Sequence, residues 1–279
     1  PCMFDARAKT DASPRLVRTH DTGEAVRVLQ LLTALGHGGA EIWLLNMLRQ
    51  FDRNECAIDF CLKMPQAGEL SHVAVDLGAR VYNVPLRPTH VGYLRGLRRA
   101  LRDGRYDVLH SHEFVYSGLG VAVANALGIP VVCTFHHWQS EPQTTLTRLP
   151  VVRELRAVYG RVSMAYALSH ATILTTLSRK VMTHLIPDSA QRSNCRLLRL
   201  STGTPPLATR EDRVRFRREN GFGDDDPVLL HVGRFIEQKN HDGLLDVFAR
   251  VRRRVPAARL VLLGQGPLQE RILGRVARE

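Results

Sequence analysis

An α/β fold built on parallel sheets is predicted by two observations. Short apolar runs alternate with segments of helical spacing from Val26 to Leu200, and glycines recur where strands turn into helices. Strands alternating with helices in this way make a parallel sheet covered on both faces, which is a Rossmann-like arrangement. A third observation adds a second domain. After a stretch carrying Gly203, Pro205 and Pro206, the same rhythm starts again.

Residues 1–25 are polar and irregular and read as a disordered arm. Val26–Leu32 is the first strand and runs into Gly36-His37-Gly38-Gly39, after which Ala40–Phe51 has helical spacing. Ala57–Leu62 reads as a strand, Glu69–Leu77 as a helix, Arg80–Val84 as a strand and Gly92–Arg102 as a helix. Asp107–His110 is a strand and Tyr116–Leu127 a helix. Ile129–Phe135 has the strongest strand signature, with β-branched residues inside and Gly128 and Pro130 at its start. A long helix over Val151–Ser169 precedes strand Ala171–Leu177, helix Arg179–Ile186 and strand Arg196–Leu200. Ser201–Asp212 reads as a linker. The restart consists of strand Val228–Val232, helix Asp242–Arg254, strand Arg259–Leu263 and a helix from Leu268. The plan is therefore an arm over 1–25, an N-terminal domain over 26–200, and a linker with the start of a second domain over 201–279. Domains usually run to about 100–150 residues, so the second reads as unfinished. The chain starts at Pro1 and stops at Glu279 inside a helical pattern, so a fragment is expected.

Composition narrows the class. Hydrophobic content of 44% and charged content of 24% suit a water-soluble globular chain. No run of 18 apolar residues exists, so no membrane-spanning helix is expected, and residues 1–25 lack the apolar stretch of a signal peptide. The five cysteines are dispersed and form no C-x-x-C pair, which suits a reducing, cytoplasmic compartment. The net charge of +12 points to anionic partners: nucleotide phosphates, lipid headgroups or nucleic acid. Only four of the 39 basic residues are lysines: Lys9, Lys63, Lys180 and Lys239.

Four segments could carry chemistry, each at a strand-to-helix turn, where open parallel sheets bind ligands. The first is Gly36–Glu41, where Gly38 and Gly39 would let backbone approach a ligand and a helix N-terminus favours anions. A plain tight turn is the alternative. The second is Thr134-Phe135-His136-His137-Trp138. A neutral imidazole there can hydrogen-bond a sugar hydroxyl; the alternative is a histidine pair that fills a structural turn. His110 and His112 end another strand. The third is Gly233–Asn240, in which Arg234 and Lys239 can converge on a diphosphate. Lys239 is informative because lysine is so rare here. The fourth is Gly264-Gln265-Gly266-Pro267, whose glycines suit close approach to a nucleotide. Asp224-Asp225-Asp226 contains D-x-D but reads as a solvated acidic turn rather than a metal site. Arg95, Arg98, Arg99 and Arg102 share one helix face opposite Leu94, Leu97 and Leu101. That face is either ordinary solvated surface or a contact for an anionic membrane.

Taken in order, these segments resemble glycosyltransferase family 4 of the GT-B fold, two Rossmann-like domains facing a cleft, over Val26 to the chain end. The resemblance is carried by Gly38–Glu41, Tyr106–His112, the strand ending in His136, Val232-Gly233-Arg234 with Lys239-Asn240, and Gly264–Leu268. It implies a retaining transfer from a nucleoside-diphosphate sugar to a glycan or lipid-linked acceptor, in cell-surface polysaccharide synthesis, with no further cofactor. Gly38 and Gly39 would line the donor-phosphate and acceptor side, and His136 would touch the donor sugar. Arg234 and Lys239 would bind the diphosphate and stabilise it as it leaves, in place of a metal. Gly264 and Gly266 would lie near the nucleotide. Gln139–Leu149 would read the acceptor. Thr202-Gly203 stands where the family usually has Asn-Gly. The family's E-x7-E motif is missing from these 279 residues, so the resemblance implies that they are inactive alone. The location implied is cytoplasmic, with peripheral contact at the membrane face.

The alternatives are a non-catalytic nucleotide-sugar or membrane-binding fragment, and a sugar-nucleotide epimerase of the same fold. Nucleic-acid binding is not expected, because no aromatic-and-basic recognition motif accompanies the charge.

Overall fold

The computed structural model describes residues 24–66, 68–86, 90–137, 150–200 and 207–278. Most of the expected arm, the segment Gln139–Leu149 and Ser201–Pro206 of the expected linker lie outside the described residues. The chain divides after Gly203 into two compact units.

The first unit is a seven-stranded sheet. Its strands are β1 (Val26–Leu32), β2 (Cys56–Leu62), β3 (Val81–Asn83), β4 (Val108–Ser111), β5 (Val131–Phe135), β6 (Ile173–Thr176) and β7 (Cys195–Leu197). All neighbours pair in parallel, in the order β3-β2-β1-β4-β5-β6-β7. The helices between them are α1 (Gly39–Gln50), α2 (Ser71–Asp76), α3 (His90–Asp103), α4 (Ser117–Asn125), α5 (Pro150–His170) and α6 (Arg179–Leu185). Alternation along the strands sorts the core into two layers. Leu29 and Leu31 of β1 join Tyr93, Leu97 and Val121 on one face; Leu32 joins Trp43, Leu44 and Phe60 on the other. The strand order reverses direction between β1 and β4, so the turns after these two strands flank the topological switch point.

Asp59, fully buried in β2, ties together the segments that lead into β2, β3 and β4. It accepts from Tyr106 Oη at 2.7 Å, from Arg80 N at 2.8 Å and from Arg53 Nη2 at 3.3 Å. Both carboxylate oxygens thereby have donors, which a buried carboxylate requires.

The second unit holds α7 (Arg210–Glu219), β8 (Val228–Val232), a 3-10 turn (Glu237–Lys239), α8 (His241–Arg254), β9 (Arg259–Leu263) and α9 (Gln269–Val276). β8 and β9 pair in parallel, and Phe235, Leu245 and Ile272 make a small core. The linker expected over Ser201–Asp212 is shorter than that, because α7 begins at Arg210. A capping box starts the helix: Asp212 N donates to Thr209 Oγ1 at 3.1 Å, and Thr209 N donates to Asp212 Oδ2 at 3.0 Å. With no buried residue, α7 has no apolar stripe to announce it.

Candidate active site

The first unit gathers a polar row on the α1 face of its sheet. Gln30 in β1, His110 in β4, and Thr134 in β5 all point to this side, and His112 and His136 follow at the carboxyl ends of β4 and β5. Gln30 and Thr134 are each 1% exposed, so the row must satisfy itself. His112 Nε2 lies 2.8 Å from Gln30 Oε1, and His112 Nδ1 lies 3.0 Å from His136 Nε2. His110 Nε2 lies 2.6 Å from Thr134 Oγ1, which in turn meets Thr175 Oγ1 at 2.5 Å. His110 and His112 sit with ring centroids 4.1 Å apart, and Trp43 of α1 meets His112 edge-on at 6.2 Å.

All three imidazoles are pushed below the ordinary histidine value. Burial takes His110 and His136 down to about 4, helped by His136 beside the former and His137 beside the latter. Burial also holds His112 well below its usual range, with His110 and His136 adding to it. The row is therefore neutral at pH 7. Its folded pKa values lie below the unfolded ones, so the unfolded chain binds more protons in the acid range. Stability is then intact above about pH 6.5 and lost as pH falls towards 4, at about 1.4 kcal/mol per pH unit for each histidine that titrates. Urea midpoints measured from pH 7 to 4.5 should fall steadily over that window. A flat profile would contradict the buried neutral row.

At the end of β1, Gly38 caps α1 and Gly39 opens it. A β-carbon at Gly38 would overlap the Glu41 carboxylate, whereas one at Gly39 would meet open space. The amino end of α1 is thus already faced by the chain's own acid. His37 Nδ1 lies 2.9 Å from Glu69 Oε2 and ties this loop to the turn before α2.

In the second unit, the turns after β8 and β9 interlock. Phe235 N donates to Gln265 O at 2.9 Å, and Leu268 N donates to Phe235 O at 3.0 Å. Gly264 and Gly266 adopt φ of 154° and 157°, and a β-carbon on either would collide with the backbone of Gly233 or Phe235. Only glycine allows this approach. Arg234 projects exposed from the first of the two turns. Lys239, also exposed, packs its aliphatic stem beside Gly233, and neither cation has an ion-pair partner among the described residues. Below them His241, 2% exposed, stacks on Phe235 at 4.3 Å and meets His231 edge-on at 5.0 Å. Asp226 accepts from Gly223 N at 3.0 Å and from Arg259 Nε at 3.3 Å, so the D-x-D segment closes the turn into β8.

A family model described as "Glycosyl transferase 4-like domain" matches residues 22–201, and one described as "Glycosyl transferases group 1" matches residues 212–277. The chain belongs to the glycosyltransferase 4-like family. This glycosyltransferase 4-like chain is 26% identical over 256 residues to a Bacillus subtilis (strain 168) protein named "Putative glycosyltransferase EpsF", covering 87% of the chain and 62% of that protein. It is 24% identical over 181 residues to "Alpha-monoglucosyldiacylglycerol synthase" of Streptococcus pneumoniae (strain ATCC BAA-255 / R6), covering 62% of the chain and 40% of that protein. The chain thus spans under two thirds of the length of these curated relatives. Among solved structures, Anabaena Alr3699/HepE in complex with UDP aligns with a TM-score of 0.68 at 16% identity, covering 91% of this chain and 65% of that one. The catalytic domain of Arabidopsis thaliana starch synthase IV, bound to ADP and acarbose, aligns at 0.58 with 12% identity, covering 92% and 72%. The fold is GT-B, with two Rossmann-like domains.

Sequence reasoning on this glycosyltransferase 4-like chain passed over one buried pair at the sheet's carboxyl edge. Lys63 Nζ, after β2, lies 2.6 Å from Glu113 Oε2, after β4, and 4.3 Å from the centre of the Tyr116 ring. Thr33 Oγ1 donates to Glu113 Oε1 at 3.3 Å. The pair ties together the turns after β1, β2 and β4. The rarity of lysine, which singled out Lys239, could equally have singled out Lys63.

Proposed function

We propose that the protein is a retaining glycosyltransferase that moves a sugar from a nucleoside-diphosphate sugar to a glycan or lipid-linked acceptor in cell-surface polysaccharide synthesis. The observation that carries this reading is the pair of exposed cations, Arg234 and Lys239, without an ion-pair partner among the described residues, on the segment that follows β8, in a family whose members are glycosyltransferases. Charges held on rigid turns can stabilise a departing diphosphate without reorganising as it forms. His136, at the end of β5, is offered to the donor sugar; Gly38 and Gly39, in the turn after β1, are offered to the donor-phosphate and acceptor side. Gly264 and Gly266 serve the nucleotide indirectly, by setting the backbone from which Arg234 projects. The Anabaena HepE complexes with UDP and with UDP-glucose support a uridine nucleotide as the first donor to try. Calorimetry on the full-length protein with a panel of nucleoside-diphosphate sugars should find one donor class, and Arg234→Ala with Lys239→Ala should abolish the heat. Binding that survives the double change would sink the assignment.

Peripheral contact with the cytoplasmic membrane face belongs to the same reading. No described helix is long and apolar enough to cross a membrane. The apolar face of α3 is consumed by the core, where Tyr93, Leu97, Ala100 and Leu101 are buried. Arg95, Arg98, Arg99 and Arg102 stay exposed, so α3 would touch a bilayer mainly through its charges. Basic residues at an anionic surface contribute about 1 kcal/mol each. Replacing all four with Gln should therefore release the protein from phosphatidylserine vesicles at low salt; unchanged co-sedimentation would exclude this face.

A further inference from the structure

Two hydrogen-bond chains run inward from the histidines, and each ends on a carbonyl oxygen, which only accepts. With the Gln30 amide oriented so that its oxygen meets His112 Nε2 at 2.8 Å, the proton between them sits on His112. A neutral imidazole carries one N–H, which leaves His112 Nδ1 a lone pair. The contact at 3.0 Å with His136 Nε2 must then use a proton on His136. The second chain has the same sense. Thr175 Oγ1 donates to the Cys133 carbonyl at 3.4 Å, so it accepts from Thr134 Oγ1 at 2.5 Å, and Thr134 Oγ1 accepts from His110 Nε2 at 2.6 Å. Two independent chains thus spend their histidine protons inward.

We propose that Gln30 and His112 are positioning residues that lock His136 as its Nε2–H tautomer, so that its other ring nitrogen, Nδ1, is an acceptor selecting donor sugars that present a hydroxyl over those that present a carboxylate. This rests on the reading of His136 as the donor-sugar contact. The chemistry is one-sided. A hydroxyl donates to an imidazole lone pair, whereas a carboxylate has only acceptors to set against it. Sites built around one hydrogen-bond sense discriminate strongly, because the wrong partner leaves buried polar groups unpaired.

Long-range 15N–1H correlation spectra of the labelled protein at pH 7 read the tautomers directly. His112 and His136 should both appear as Nε2–H, and His136 in the Nδ1–H or imidazolium form would overturn the proposal. Gln30→Met removes the acceptor at similar volume and should return His136 to a tautomer mixture while the protein still melts cooperatively; an unchanged His136 pattern in the folded variant would remove Gln30 from the chain. If Gln30→Met does not fold, the wild-type spectrum alone decides the tautomer. The full-length protein should bind a neutral nucleoside-diphosphate hexose at least ~10-fold more tightly than the matching hexuronate, and equal affinity would overturn the selectivity. A protein that binds neither donor, with the Nε2–H spectrum intact, would instead fail the transferase reading and leave the tautomer lock standing.

Discussion

Alanine at Lys239, or at Arg234, should lower kcat for sugar transfer by the full-length protein about 10²–10³-fold each, which is the usual cost of removing one preorganised group facing a developing anion. Both side chains are exposed and unpaired among the described residues, so neither change should disturb folding. The loss should fall on kcat more than on KM, because charge on the diphosphate grows as the sugar departs. Lys239→Arg keeps a cation but replaces a compact ammonium by a planar fork on a differently shaped stem, and should recover only part of the rate. Steady-state kinetics with the donor found by calorimetry would measure this. A loss smaller than tenfold at both positions would mean that Gly233–Asn240 is an ordinary solvated basic loop.

Breaking the Lys63–Glu113 pair should cost about 3–5 kcal/mol of stability, because removing one partner strands the other charge away from water. Glu113 has a fully buried side chain, and that of Lys63 is 11% exposed. Lys63→Met should therefore lower the urea midpoint sharply, and Glu113→Leu should do the same. The double variant should recover much of the loss, since an apolar pair of similar volume needs no charge compensation. Urea denaturation of the three variants tests this. Additive losses in the double variant would show that the two residues contribute separately and not as a pair.

Much of the fold was legible because its strands are written as short apolar runs between turn residues. Val26–Leu32, Val228–Val232 and Arg259–Leu263 have the same bounds in sequence and structure. α7 was not legible as a helix, because REDRVRFRRE shows no stripe; its only signal was Thr209 three residues before Asp212. The ends of β5 and β8 could be read as candidate positions from their histidines and cations. What they touch could not. Gln30 sits 82 residues from His112, and Lys63 sits 50 residues from Glu113, so each pairing exists only once the sheet has brought the strands together. A lone glutamine inside an apolar strand was the available hint of the buried row.

The interlocked glycine turns of the second unit have a consequence for anyone who reshapes this protein. Gly264 leans on the carbonyl of Gly233, and Gly266 leans on Phe235, so the two turns move as one part. A methyl group added at Gly264 is felt first at the residue that precedes Arg234. Mutational scans of this segment should therefore show epistasis between positions about thirty residues apart, and libraries that randomise one turn while freezing the other will be dominated by mechanical failures. Productive variation should come from coordinated changes, or from the exposed side chains that the paired turns carry.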